Sequence, residues 1–244
     1  MAERNFVMEN RILPEKLRFL SGSALKILAV ILMLIDHIGA MMGPDTAPLF
    51  TVFGRSVTLY TLMRFIGRMA FPIFAFLIVE GHRHTRSKVR YGVGLLIFAI
   101  LSEVPYDLFR YGVWFTLHKQ NVFFTLLLGY LGICAYEGLE KRWFLRAGSI
   151  LVLLVGSYFL RADYGISGFC FIMLMYALQD RELLRDVVGI MILGSRWKAG
   201  LAFVPLAFYN GKRGFIKGPV LKYAFYLFYP LHLLVLYCIR ARIF

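Results

Sequence analysis

Nine runs of apolar residues, most of them long enough to cross a bilayer as a helix, dominate this chain and decide its class before any motif is read. They fall at about 24–42, 58–79, 90–104, 122–138, 143–160, 166–179, 184–194, 199–209 and 221–239. A hydrocarbon core about 30 Å thick takes about 20 helical residues to cross. Inside it each backbone polar group must be satisfied within its own segment, which makes runs of this length helices. The 244 residues are 59% hydrophobic and 17% charged, where soluble domains hold about 45–50% and about 25%. Both departures point to lipid. The predicted fold is all-α, a polytopic transmembrane helix bundle of about nine spans. The seventh and eighth runs are short for full crossings, and re-entrant segments are the other reading of them. Residues 1–22 form a basic N-terminal tail, and 23–244 are read as a single transmembrane domain without repeats or low-complexity stretches.

A net charge of +14 raises an anionic partner, but the cations stand in short clusters between apolar runs rather than in a stripe, so nucleic acid is not expected. Sorted by loop, they orient the chain. Arg4, Arg11, Lys16, Arg18, Lys26, then Arg83, Arg86, Lys88, Arg90, then Lys141, Arg142, Arg146, then Arg181, Arg185, and finally Lys212, Arg213, Lys217 and Lys222 fall on one side, eighteen in all. The other side has eight, Arg55, Arg110, Lys119, Arg161, Arg196, Lys198, Arg240 and Arg242. The richer side is expected to be cytoplasmic, with the N-terminus there and the C-terminus outside. Trp114, Trp143 and Trp197 stand at run ends, as interfacial anchors do. The run from Ser23 to Met42 carries Asp36 and His37 and lacks a small-x-small cleavage site, so it reads as an uncleaved first span. Cys134, Cys170 and Cys238 are widely spaced within apolar runs, and no Cys/His metal spacing occurs, so neither a disulfide frame nor a metal site is expected.

Ionisable groups inside a bilayer are costly, which makes each one a functional candidate. Of the 14 acids, Asp36, Glu80, Glu103, Asp107 and Asp163 lie within or at the ends of runs. A first span entered near residue 24 puts Asp36 and His37 about 18–20 Å in, within the outer half of the core. Arg64 and Arg68 descend from the outer side at i, i+4 and share a helix face. Glu103 and Asp107 flank Pro105 at the outer end of the third span, Asn121 opens the fourth, and Asp163 and Tyr164 close the fifth. His232 lies past the middle of the ninth, one turn after Tyr229. These groups are expected to gather on one level near the outer leaflet. Asp36 and His37 point about 100° apart on a helix, so Asp36 is expected to bind Arg64 or Arg68, leaving His37 for substrate. A neutral imidazole in hydrocarbon needs a partner and carries protons near pH 7. The arginines have a second reading, as Arg/Asp pairs that only hold helices together. His82 and His84, beside Arg83 and Arg86, and His118 read as solvated loop residues.

The segments that supply these groups resemble the TraX family of integral membrane proteins. The resembling stretches are LKILAVILMLIDHIG (Leu25 to Gly39), GRMAFPIFAFLIVEG (Gly67 to Gly81), SEVPYDL (Ser102 to Leu108), NVFFTLLLGY (Asn121 to Tyr130), ADYGISG (Ala162 to Gly168) and FYPLHL (Phe228 to Leu233). That family is named for the protein that N-acetylates the conjugative F pilin, and it is similar to multi-span acyltransferases that use cytosolic acetyl-CoA on acceptors across the membrane. The resemblance implies a bacterial inner-membrane protein and acetyl transfer, with His37 at the position of the wider group's early-helix catalytic histidine. Nothing in the sequence itself points to a pilus.

On that resemblance, the acetyl-CoA phosphates are expected to dock on Arg83, Arg86, Lys212 and Arg213, because phosphates need cations. His37 is the expected general base toward an acceptor from the outer side, a peptide amine or a glycan or lipid hydroxyl, with direct transfer favoured over an acetyl-histidine intermediate. Arg68 or Asn121 is the expected oxyanion donor. Asp36, Arg64, Glu103, Asp107, Asp163, Tyr164, Tyr229 and His232 complete the expected site, holding the arginines or positioning the acceptor. The competing class is a proton-coupled secondary transporter using the same Asp/His/Arg groups, although no inverted repeat is found. A structural membrane subunit is the third.

Overall fold

The computed structural model describes residues 12–243 other than 45, 53 and 217, and the described side chains exclude those of residues 52, 55, 194–197, 219 and 243. The tail residues 1–11 with Arg4 and Arg11, the loop residues Asp45 and Lys217, and the side chains of Arg55, Arg196 and Trp197 therefore lie outside the described residues. The chain is mostly helical. In order come α1 (Gly22–Met42), a hairpin of β1 (Pro48–Val52) and β2 (Arg55–Thr58), α2 (Leu59–Gly67), α3 (Ala70–His84), α4 (Lys88–Tyr111), α5 (Val122–Gly138) and α6 (Trp143–Phe159). There follow α7 (Gly165–Ala177), α8 (Glu182–Leu193), a 3-10 segment (Gly194–Ala202), α9 (Phe203–Ala207) and α10 (Pro219–Ile243). Each apolar run is met by helix. Among the described residues four stretches are long and apolar enough to cross a membrane, Gly22–Met42, Leu59–His84, Lys88–Tyr111 and Val220–Arg242. Shorter apolar helices lie at Val122–Gly138, Trp143–Phe159, Gly165–Ala177 and Lys198–Ala207.

Two departures from a plain helix bundle have identifiable causes. The antiparallel hairpin pairs Val52 with Arg55 and Thr51 with Ser56, and Gly54 takes a φ of 73° that other residues rarely adopt. The second run breaks between α2 and α3, after Gly67, whose α-carbon is pressed against the Asp36 backbone so closely that a Cβ there would overlap it.

The described residues form two compact units, a central one of Ala75–Leu193 with Ile12, and a terminal one over 13–74 and 194–243. In the central unit α5 packs on α4, α6 and α7. Between α5 and α7 the approach is set by glycines, Gly129 against Ile172 and Gly132 against Phe169 and Met173. Apolar side chains gain little by leaving lipid for one another, so contacts of this kind, dense and between small and large residues, are what hold membrane helices together. The outer face of α6 shows the complement. Ser157 is the one buried residue described along its 17 positions, while Trp143, Phe144, Val152 and Phe159 are well exposed, an arrangement that lipid tolerates and water does not.

In the terminal unit α1 packs against α2 and α10. The entry to α1 is stitched to the loop before α10. Gly22 and Ser23 backbone N–H groups donate to the Lys212 and Arg213 carbonyls at 2.8 and 2.9 Å, and Ser23 Oγ donates to Arg213 O while accepting from Ile216 N. Gly214, at φ 86°, sits against the Ser21 and Ser23 side chains where a Cβ would collide. The loop holding Lys212 and Arg213 is thereby fixed at the start of α1.

Candidate functional site

The terminal unit brings the two intramembrane imidazoles together. His37, four turns into α1, places Nδ1 2.7 Å from Nε2 of His232 on α10, and His232 Nδ1 lies 2.8 Å from the Phe228 carbonyl oxygen one turn earlier. A carbonyl can only accept, so His232 Nδ1 carries a proton and donates it to Phe228 O. A neutral His232 then has its lone pair on Nε2, which accepts from His37 Nδ1–H. A neutral His37 in turn has its lone pair on Nε2. The chain of bonds thus selects one tautomer of each ring, as a carbonyl or carboxylate does for metal-ligating and catalytic histidines. Packing holds the geometry. The Phe228 ring stacks on His232 at 5.1 Å between centroids, and Tyr229 meets His37 and His232 edge-on at 6.1 and 5.6 Å. His232 is buried, as is Tyr229. The sequence reading left His37 to substrate alone; the structure commits one of its nitrogens to His232.

One residue before His37, Asp36 accepts from the Arg64 guanidinium of α2, and Arg64 also donates to the Asp36 carbonyl at 3.2 Å. Two glycines permit this approach of α1 and α2. A Cβ on Gly39 would stand 2.8 Å from Met63 Cβ, and one on Gly67 would overlap Asp36. Arg68 follows Gly67 directly at the C-cap of α2, and among the described residues its side chain makes no hydrogen bond or ion pair. Of the two arginines, Arg64 is the helix clamp and Arg68 keeps its donors.

Glu103, Asp107, Asn121, Asp163 and Tyr164 belong to the central unit. Asn121 caps α5 by accepting from Phe123 N at 3.0 Å, while its side-chain nitrogen donates to Glu103 and, at 2.8 Å, to the Ala99 carbonyl. Glu103 Oε1 also accepts from the Asn121 backbone N–H at 3.0 Å. Both amide hydrogens of Asn121 are thus engaged in locking α4 to α5. Asp107 accepts from Thr116 N at 2.7 Å, Asp163 pairs with Lys119 at 2.7 Å, and the Tyr164 N–H donates to Thr125 Oγ1 at 3.3 Å. Among the described residues Glu103 Oε2, Asp107 Oδ1 and Ser102 Oγ are buried and find no hydrogen-bond partner.

A further polar cluster was missed by sequence reasoning. His82, read as a solvated loop residue, is 2% exposed, because α3 continues to His84 and turns it inward. Its Nε2 lies 2.9 Å from Glu137 Oε2, and Glu137 also accepts from Lys88 and, at 2.7 Å, from Tyr176. The signal available was Glu137 itself, a carboxylate ending an otherwise apolar run. His84, by contrast, is exposed and pairs with Glu80 at 3.3 Å. The four expected phosphate cations divide between the units, with Arg83 and Arg86 exposed in the central one and Lys212 and Arg213 exposed in the terminal one. Among the described residues no group of three or more His, Cys, Asp and Glu side chains could hold a metal ion.

Comparison with known proteins places the chain in a family. A model described as TraX protein matches residues 21–240. A protein described as probable fimbrial assembly protein FimC, serogroup H1, of Dichelobacter nodosus is 29% identical over 244 residues, covering 88% of this chain and 94% of that protein. No solved structure matches. The family model runs from the start of α1 almost to the end of α10, the two helices that carry the paired imidazoles included, and the chain belongs to the TraX family.

Proposed function

We propose that this protein is an integral membrane acetyltransferase of the bacterial inner membrane. It moves an acetyl group from cytosolic acetyl-CoA to an amine or hydroxyl acceptor on the outer side, with His37 as general base. The observation that carries this reading is the hydrogen-bonded chain from His37 through His232 to the Phe228 carbonyl, which puts the lone pair of a neutral His37 on Nε2. His37 Nε2 takes the proton of the acceptor as the acceptor nitrogen or oxygen bonds to the thioester carbonyl carbon. His37 then returns that proton to the departing thiolate as the C–S bond breaks, so the products are acetylated acceptor and free thiol. The His37 imidazolium formed between these steps keeps its Nδ1–H on His232, where the bond becomes charge-assisted and stronger. Arg68, next to Gly67 at the Asp36 contact, supplies donors for the oxyanion, and Asp36 with Arg64 holds α1 and α2 in place.

The name of the FimC relative, a fimbrial assembly protein, together with the resemblance to a pilin-acetylating protein, makes a peptide amine of a pilin-type subunit the first acceptor to test. Glycan and lipid hydroxyls follow. The reading is tested by His37→Ala in purified protein with labelled acetyl-CoA and an envelope extract as acceptor. Loss of label transfer by at least about 100-fold is expected, the order removed with a general base, and transfer at the wild-type rate overturns the assignment.

A proton-coupled transporter is the second reading. It is favoured by the buried carboxylate oxygens of Glu103 and Asp107 that find no hydrogen-bond partner among the described residues, since intramembrane carboxylates mark proton paths. Proton-coupled flux in vesicles without acetyl-CoA distinguishes it from the enzyme.

A further inference from the structure

Four cations converge at one end of the terminal unit. Lys26 stands on the second turn of α1, Lys212 and Arg213 on the loop stitched to that helix, and Lys222 on the first turn of α10. Lys26 lies within electrostatic range of both Arg213 and Lys222, and its ammonium sits 5.6 Å from the centre of the Phe225 ring of α10. Among the described residues Lys26, Lys212 and Arg213 make no ion pair. Like charges gathered from three separate segments repel one another, and an anion of several charges relieves that repulsion.

The same two helices connect this cluster to the imidazoles. Lys26 and His37 are eleven residues apart on α1, which is about three turns, an offset of about 20° and a rise of about 16.5 Å. The row Lys26, Val30, Met33, His37 therefore runs along one side of α1. On α10, Phe225 and His232 are seven residues apart and likewise share a side. The two helices touch at both places, Lys26 on Phe225 and His37 on His232. A cationic end and a proton-accepting end thus stand on one rigid pair of helices at a fixed separation. A ligand that uses both carries its phosphates and its reactive carbon about 16 Å apart. A pantetheine arm has about twelve backbone bonds from phosphate oxygen to sulfur, and at about 3.3–3.6 Å for each three extended bonds it reaches about 13–14 Å. The phosphate at one end and the thioester carbon at the other bring it to the required span.

We propose that Lys26, Arg213 and Lys222, with Lys212 beside them, form the phosphate subsite of a nucleotide-bearing thioester donor, set one pantetheine length from His37 along α1 and α10. This rests on the acetyl-transfer reading and narrows it. Of the four expected phosphate cations, it assigns Lys212 and Arg213 of the terminal unit to the donor. Anionic lipid headgroups share the phosphate chemistry, so the test must separate the two sources.

The experiment uses the full-length protein in a lipid-free detergent micelle, comparing wild type with Lys26→Gln/Arg213→Gln and with Lys222→Gln. An Arg240→Gln variant controls for charge alone. Equilibrium binding of CoA is measured first. The expected result is that the double variant weakens it at least tenfold and the control leaves it unchanged. Acetyl transfer is then compared for acetyl-CoA and for acetyl-N-acetylcysteamine, which has the thioester but no phosphate. The KM for acetyl-CoA is expected to rise at least tenfold with kcat little changed, while rates with the truncated donor stay at the wild-type level. Equal losses with both donors indicate a structural role and overturn the proposal, as does wild-type protein that fails to bind CoA. Unchanged CoA binding with weakened binding to anionic-lipid nanodiscs assigns the cluster to headgroups and also overturns it. If CoA binds and the variants weaken it, but neither donor is ever consumed, the subsite stands and the acetyltransferase reading falls.

Discussion

His232 offers the sharpest perturbation, because two hydrogen bonds define its chemical role. Its Nε2 accepts from His37 Nδ1–H at 2.7 Å, and its own Nδ1–H is fixed by the Phe228 carbonyl at 2.8 Å. In the resting state the first bond joins neutral groups and is worth about 0.5–1.5 kcal/mol net. Once His37 has taken the acceptor proton the donor is charged, and such bonds are worth about 1.5–3 kcal/mol. His232→Ala removes this bond where the barrier is highest. Since the resting bond is lost as well, kcat feels only the difference, about 1–1.5 kcal/mol, which at about 1.4 kcal/mol per tenfold slows it by about 5- to 12-fold. The KM for acetyl-CoA is expected to hold, since no donor contact is involved. His232→Gln can present a carbonyl oxygen to the same N–H and is expected to recover most of the loss, whereas His232→Leu, matched in bulk, is not. The assay is initial-rate kinetics of labelled acetyl transfer in detergent, with thermal midpoints measured on the same preparations. The role of His232 in this bond chain is refuted if His232→Leu and His232→Gln behave alike, or if His232→Ala turns over at the wild-type rate with a normal midpoint.

Gly67→Ala drives a methyl group into the Asp36 backbone, and overpacking of this kind costs about 1–3 kcal/mol, so a lower thermal midpoint and loss of acetyl transfer are expected while Gly138→Ala, which meets open space, is silent. Asp36→Asn leaves the Arg64 guanidinium facing a neutral amide across a partly buried contact; a destabilisation of about 1–3 kcal/mol is expected, and a midpoint equal to wild type would show that the pair adds nothing. Asn121→Ala removes the α5 cap and the donors that hold Glu103, together worth about 2–4 kcal/mol, which a thiol-reactive unfolding assay reads as earlier exposure of Cys134. Single cysteines placed between Arg83 and Arg90 are expected to resist impermeant maleimide added from outside, and their labelling would reverse the assigned orientation.

Helix positions were readable because a bilayer leaves long apolar runs a single form of backbone, so hydropathy alone locates α1, α4, α5 and α10. The interruption between α2 and α3 was signalled there too, although run 58–79 reads as one span. Gly67 and Arg68 stand at its middle and Pro72 follows in the first turn of α3, where it has no N–H to continue the ladder of α2; what no local pattern shows is that Gly67 lies on Asp36. The hairpin at 48–58 escaped notice for a related reason, because five-residue strands become strands only when paired. His82 shows how local context misleads. Its cationic neighbours suggested water, yet one more turn of α3 aims it at Glu137, 55 positions later. The Asn121 side chain was read for chemistry when its place directly before an apolar run was a helix-start signal. At His37 and His232 the two levels meet. Each stood out alone, as an imidazole in hydrocarbon that must find a partner, and each was a candidate for that reason. That the partner of one is the other, across 195 positions, depends on α1 and α10 lying side by side, and no local pattern encodes a pairing at that separation. Burial and residue type could be argued from periodicity; the tautomer of His37, on which its service as a base depends, follows only from what His232 and the Phe228 carbonyl allow.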